Sequence, residues 1–69
     1  MVGEKWRHKK RGTEYEIMAD TASLQCAAAP EFEQMFEDSA WIVYRSVDTG
    51  AVYLRLALEF LDGRFEKVV

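Results

Sequence analysis

Polar and apolar residues alternate through Thr13-Glu14-Tyr15-Glu16-Ile17, with β-formers at the odd positions. A period of two is the signature of a strand with one face buried. The run before it, Lys5-Trp6-Arg7-His8-Lys9-Lys10-Arg11-Gly12, ends on a glycine. Taking Arg11-Gly12 as a two-residue turn folds the two segments into a hairpin. In that register Lys9 faces Glu14 and Arg7 faces Glu16 on one side, while His8 faces Tyr15 and Trp6 faces Ile17 on the other. Opposite charges meet, and rings meet apolar groups. A segment selected only for positive charge has no reason to satisfy that register.

The second arm is expected to continue through Met18 and Ala19 towards Gln25-Cys26, with a break or bulge near Asp20-Thr21, giving a hairpin over 5–26. Ala27-Ala28-Ala29-Pro30 ends it. Pro30 suits the first position of a helix, and Glu31 and Glu33 complement a helix N-terminus. Phe32, Met35 and Phe36 then form one apolar stripe, so a short helix is predicted over 30–38. Too short to stand alone, it must pack on something.

Ala40 to Val47 is the strongest strand pattern in the chain. Asp48-Thr49-Gly50 reads as a three-residue hairpin loop with glycine at the left-handed position, and Ala51 to Leu56 returns, for a hairpin over 40–56. That register puts Ile42, Tyr44, Val52, Leu54 and Leu56 on one face and Trp41, Val43, Arg45, Tyr53 and Arg55 on the other. A helical turn over 57–61 and a last strand over 64–68 follow, with Asp62-Gly63 between them. This order predicts a mainly β fold: a small SH3-like five-stranded barrel, or a strongly curved antiparallel sheet, with one short α-helix. Closing or curling the sheet lets a short chain enclose a core with few open edges.

Length and composition agree with a single folded domain over 1–69. Apolar residues make up 49% and aromatics 13%, with one proline and four glycines among 69 residues, far from a disordered composition. A chain of this size sits near the lower limit for an unaided core. One cysteine, Cys26, cannot form an intramolecular disulfide, and one Cys with one His cannot make a zinc site. A reducing, cytoplasmic setting is therefore expected. No apolar run approaches a membrane span, and the charged start lacks the apolar stretch of a signal peptide.

The net charge of −3 is unevenly spread. Residues 1–12 carry five basic side chains and one acidic; residues 13–69 carry four basic and eleven acidic. A body this acidic repels nucleic acid at long range, so any such role falls to the N-terminal face.

Several short stretches together resemble a known family. Trp6-Arg7-His8, Gly12-x-x-Tyr15-x-Ile17, Ile42-Val43-Tyr44, Tyr53-Leu54-Arg55 and Phe60 are similar to a family of short bacterial and phage proteins. That family is catalogued as a domain of unknown function with a small β-barrel-like fold. Similar prophage-encoded proteins of about this length open on a W-R-H-K-K-R-G-type run and end near F-x-D-G-R-F-E, here Phe60-Leu61-Asp62-Gly63-Arg64-Phe65-Glu66. Two features depart from the pattern. Leu56 stands where the family often has proline, and the segment from Asp20 to Asp38 has no counterpart. The resemblance implies the fold and a phage or bacterial origin; it carries no catalytic residue.

No reaction chemistry is legible. His8 and Cys26 lack the marks of an oxyanion hole and of a third, orienting group, and cross-strand cations account for Glu14 and Glu16 better than acid–base work does. No glycine-rich phosphate loop and no metal-ligand spacing occurs, so neither cofactor nor metal is expected. Two binding surfaces remain. The leading one is the aromatic and arginine face, with Trp41, Arg45, Tyr53 and Arg55 as anchors for a host or phage protein, these being residue types enriched at interface hot spots. The second is nucleic-acid binding through Lys5, Arg7, Lys9, Lys10 and Arg11, with Trp6 able to stack on bases only if it stays out of the core. A homodimer through the same aromatic and arginine face, or through Phe32, Met35 and Phe36, is a further expectation, since a second copy supplies burial that a chain this short lacks. Together these readings predict a non-enzymatic interaction module.

Overall fold

The computed structural model describes residues 1–23 and 40–69. The helix expected over 30–38, and the part of the first hairpin that runs on to Cys26, lie outside the described residues. Strands β1 (Lys5–His8), β2 (Glu14–Ala22), β3 (Trp41–Ser46) and β4 (Val52–Leu56) precede a short helix α1 (Ala57–Phe60) and a last strand β5 (Phe65–Val68). All pairings are antiparallel, in the sheet order β4-β3-β2-β1-β5. Among the described residues the protein is therefore mainly β, one open five-stranded sheet with one short helix. Of the two architectures expected, the curved sheet is the one formed; β4 and β5 are its edges and do not pair to close a barrel.

The sheet is nonetheless strongly curled. Four inter-strand steps of a flat sheet separate its edges by about 19 Å. Here the Arg55 guanidinium of β4 lies 5.5 Å from the ring centre of Phe65 on β5. Phe60, carried by α1 across the concave side, stacks on Phe65 at 4.2 Å. Two irregularities in β2 help the bend. The register against β3 slips between Ile17 and Ala19 and again between Ala19 and Ala22, and such bulges increase local twist and bending. The second slip falls where a break near Asp20-Thr21 was predicted.

The concave side holds the core: Tyr15, Ile17, Ile42, Tyr44, Phe60 and Phe65 are buried, with Met1, Trp6 and Ala57 packed against them. It is built largely from rings. Tyr44 meets Tyr15 at 5.1 Å, Phe60 at 5.2 Å and Phe65 at 5.7 Å, all edge-on. Trp6 meets Phe60 at 5.4 Å and His8 meets Phe65 at 5.1 Å. Such pairs contribute about 0.5–1.5 kcal/mol each beyond area burial.

Both hairpins differ in register from the sequence expectation, for one shared reason. The observed loops hold four residues, Lys9 to Gly12 and Val47 to Gly50. In the first, the His8 N–H donates to Thr13 O (2.9 Å) and the Gly12 N–H donates to His8 O (2.7 Å). In the second, the Ser46 N–H donates to Ala51 O (2.8 Å) and the Gly50 N–H donates to Ser46 O (2.9 Å). Gly12 and Gly50 take φ of 75° and 76°, a conformation that glycine adopts without steric cost. In each loop the residue before the glycine also donates its backbone N–H to a side chain: Arg11 N–H to His8 Nδ1 and Thr49 N–H to Ser46 Oγ, both at 3.2 Å.

The consequences differ. In the first hairpin Trp6 pairs with Tyr15, Arg7 with Glu14 and Lys5 with Glu16, a shift of two that leaves every side chain on its expected face. In the second, Tyr44 pairs with Tyr53 and Ile42 with Arg55. That shift of one exchanges the two faces of β4. Tyr53 and Arg55 therefore sit on the concave side with Ile42 and Tyr44, while Val52, Leu54 and Leu56 share the convex side with Trp41, Val43 and Arg45.

Candidate interaction surfaces

The four residues expected to form one anchor face are divided by the β4 register. Trp41 and Arg45 are on the convex side, where Arg45 Nη2 donates to Glu16 Oε1 at 3.2 Å. Trp41 is half-buried and has interactions of its own. Tyr53 stacks on Tyr44 at 5.6 Å from the concave side. Arg55 braces the curl. Its Nε donates to the Tyr44 hydroxyl at 3.3 Å, its Nη1 lies 3.8 Å from Glu59 Oε2, and its guanidinium caps the Phe65 ring. The bond to Tyr44 raises the Arg55 pKa. Arg55 is thus a packing residue between β4 and β5.

Sequence reasoning missed the residues that replace Tyr53 and Arg55 on the convex side. Val52 and Leu54 are 55% and 51% exposed, with Met18 and Val47 exposed as well. The available signal was the pairing of Ser46 with Gly50, an acceptor four positions before a glycine, which marks the longer loop and turns β4 over.

The two sheet edges contrast in chemistry. On β5 the sequence Phe65-Glu66-Lys67-Val68 is short and charged, with Lys67 Nζ 3.0 Å from Glu4 Oε2. Edge strands carrying charge, especially lysine, resist pairing with other chains. On β4, Val52-Tyr53-Leu54-Arg55-Leu56 has one charge, and that charge is turned into the concave side.

The basic run divides by face. Trp6 and His8 point to the concave side, and Trp6 Nε1 donates to Glu4 Oε1 at 3.1 Å. Packed on Phe60, Trp6 is a core residue rather than a platform for bases. Arg7 lies on the convex side between two carboxylates, 3.1 Å from Glu66 and 4.0 Å from Glu14. Lys5 is exposed opposite Glu16 and Val68. The longer loop takes Lys9 away from Glu14, so Lys9, Lys10 and Arg11 all stand exposed at the tip, and among the described residues none of them is ion-paired. The 61–64 turn lies beside this tip, with Lys9 N–H donating to Arg64 O at 3.0 Å. The His8 pKa is lowered, first by burial among the rings and then by Arg11, Arg55, Lys10 and Arg64.

Glu14 and Glu16 are answered by Arg7 and Arg45, as structural carboxylates. Glu4 is held below its ordinary pKa by its bond to Lys67 and then by Trp6. Cys26 lies outside the described residues. Among the described residues no group of three or more His, Cys, Asp or Glu side chains is placed to hold a metal ion, and no helix is long and apolar enough to cross a membrane. Comparison with family models, with curated proteins and with solved structures gives no match.

Proposed function

We propose that this protein is a non-enzymatic, cytoplasmic binding module of phage or prophage type that takes a host or phage protein on the convex face of β3 and β4. The observation that carries this reading is the exposure of Val52 and Leu54 side by side with Val43 and Arg45 on that face. Large apolar side chains grouped on one surface, with an arginine at their border, are the usual make-up of an interface centre. The anchors are accordingly Val52 and Leu54 with Trp41 and Arg45, while Tyr53 and Arg55 support them from behind.

The test is affinity capture from a nuclease-treated bacterial lysate, comparing the wild type with Val43→Asp and Val52→Asp. Both variants should stay folded by circular dichroism and lose the wild-type protein partner. Equal recovery of that partner by all three proteins would refute the assignment to this face.

One observation supports a second reading. The four-residue loop frees Lys9 as well as Lys10 and Arg11, which with Lys5 and Arg7 form the basic hairpin. A tip contacting about three phosphates gives a log–log salt slope near −3 on duplex DNA. Replacing Lys9, Lys10 and Arg11 by alanine should abolish any low-salt gel shift. Absence of a shift for the wild type removes this reading.

A further inference from the structure

The hydrogen-bonding pattern of β4 determines what its open edge presents. The Ser46 N–H donates to Ala51 O at 2.8 Å and the Ala57 N–H donates to Ala40 O at 3.0 Å, so those pairs fall at the hydrogen-bonded positions of the β3–β4 ladder. Antiparallel pairs alternate between bonded and non-bonded, which makes Tyr44/Tyr53 and Ile42/Arg55 the other bonded pairs of this register. Val52, Leu54 and Leu56 therefore turn their N–H and C=O groups away from β3, towards the edge that is open among the described residues. The same three residues carry the convex apolar side chains.

We infer that a second copy of this chain occupies the β4 edge, pairing antiparallel with it about a two-fold axis through Leu54, so that two five-stranded sheets become one. Only that centre pairs all three outward-facing residues with one another: Leu54 meets its own copy, and Val52 meets Leu56. Each such pair exchanges both backbone bonds. On the convex side valine and leucine meet leucine across the ladder, which favours association. On the concave side Tyr53 falls opposite Arg55, so no like charges oppose. The segment contains no proline, lysine or bulge of the kind that keeps natural edges apart, whereas β5 in the same sheet is short and charged. An isologous contact of this kind closes on itself and stops at two copies. The inference rests on the convex face of β3 and β4 being the protein-binding surface, and it sets two such faces side by side in one wider surface.

Sedimentation equilibrium over a range of concentrations, with the wild type, Leu54→Lys and Leu54→Glu, tests the arrangement. The wild type should be dimeric. Each variant places like charges face to face across the axis and should weaken dimerisation at least tenfold, with an unchanged circular dichroism spectrum. Mixing the two variants should restore a one-to-one heterodimer. If one variant fails to fold, the other alone reports the loss, and the wild type with selectively labelled Leu54 reports protection of its amide from hydrogen exchange. A monomeric wild type, a dimer indifferent to both variants, or an unprotected Leu54 amide overturns the inference. A monomeric wild type that still captures its protein partner overturns the dimer and leaves the binding reading standing.

Discussion

Replacing Phe60 by alanine tests how much of the fold's stability rests on the ring that α1 lays across the concave side of the sheet. Phe60 is fully buried, at 0% exposure, and its ring lies 4.2 Å from Phe65, 5.2 Å from Tyr44 and 5.4 Å from Trp6. Burying such a side chain is worth about 3 kcal/mol by area, and the ring contacts add to this. The cavity left behind brings the expected loss to the upper part of the ~3–5 kcal/mol found for buried aromatic truncations. A domain of 69 residues has roughly 3–10 kcal/mol in all, so Phe60→Ala should remove from about half to the whole of it. Phe60→Leu fills most of the space, costs roughly 1 kcal/mol, and keeps the measurement within range. Leu58 and Leu61 serve as controls at 87% and 55% exposure; alanine at either should stay within about 0.5 kcal/mol of the wild type. Urea unfolding followed by far-ultraviolet circular dichroism reads all four variants. A loss below about 1 kcal/mol for Phe60→Ala, or an equal loss for Leu61→Ala, would refute the claim that α1 joins the two edges through this ring.

Other consequences can be measured on the same protein. Gly12→Ala and Gly50→Ala each force an L-residue to φ near +75° and should cost about 1–2 kcal/mol in urea unfolding; asparagine at either position should cost less. Ser46→Ala removes the acceptor for the Thr49 N–H and should cost about 1 kcal/mol. The lowered His8 pKa means that the unfolded chain takes up a proton more readily than the folded one. The corresponding stability is complete above the unfolded value of ~6.5 and is lost as pH falls from there through the lower folded value. His8→Gln should therefore flatten the decline in Tm between pH 7 and 5.5, and an unaltered decline counts against His8 as its source. Glu4 acts lower down: its lowered pKa contributes stability above ~4.5 that disappears in stronger acid, and Lys67→Ala should weaken that acid dependence.

Much of the fold was legible because burial imposes a local period. Trp6, Tyr15 and Ile17 alternate with charged residues, which settles their side of the sheet whatever the exact pairing. Ile42 and Tyr44 declare themselves in the same way. Loop length was harder to read, since the two-residue turn expected at Arg11-Gly12, the three-residue loop expected at Asp48-Thr49-Gly50 and the four-residue loops observed all end comfortably on glycine. The distinction lay in the acceptors His8 and Ser46, four positions ahead of each glycine. For the first hairpin the error was even and harmless. For the second it was odd, and it exchanged Tyr53 and Arg55 for Val52 and Leu54 at the candidate surface. Which strands form the edges depends on β1 pairing with β5, a contact between distant parts of the chain that no local pattern encodes.

That distant pairing has a consequence for synthesis. Arg7 finds Glu66 across a separation of 59 positions, and such non-local contacts place a fold among the slower, millisecond-to-second class. On the ribosome, where chains emerge at about 5–20 residues per second, the hairpin of β1 and β2 is out for several seconds before β5 exists. Throughout that interval Trp6 lacks Phe60 and His8 lacks Phe65 to cover them, and β1 is itself an open edge. Lys5 and Arg7 put charge on that waiting strand, and charged edges resist pairing with other chains, so the protection that β5 carries in the finished sheet is carried by β1 until β5 arrives.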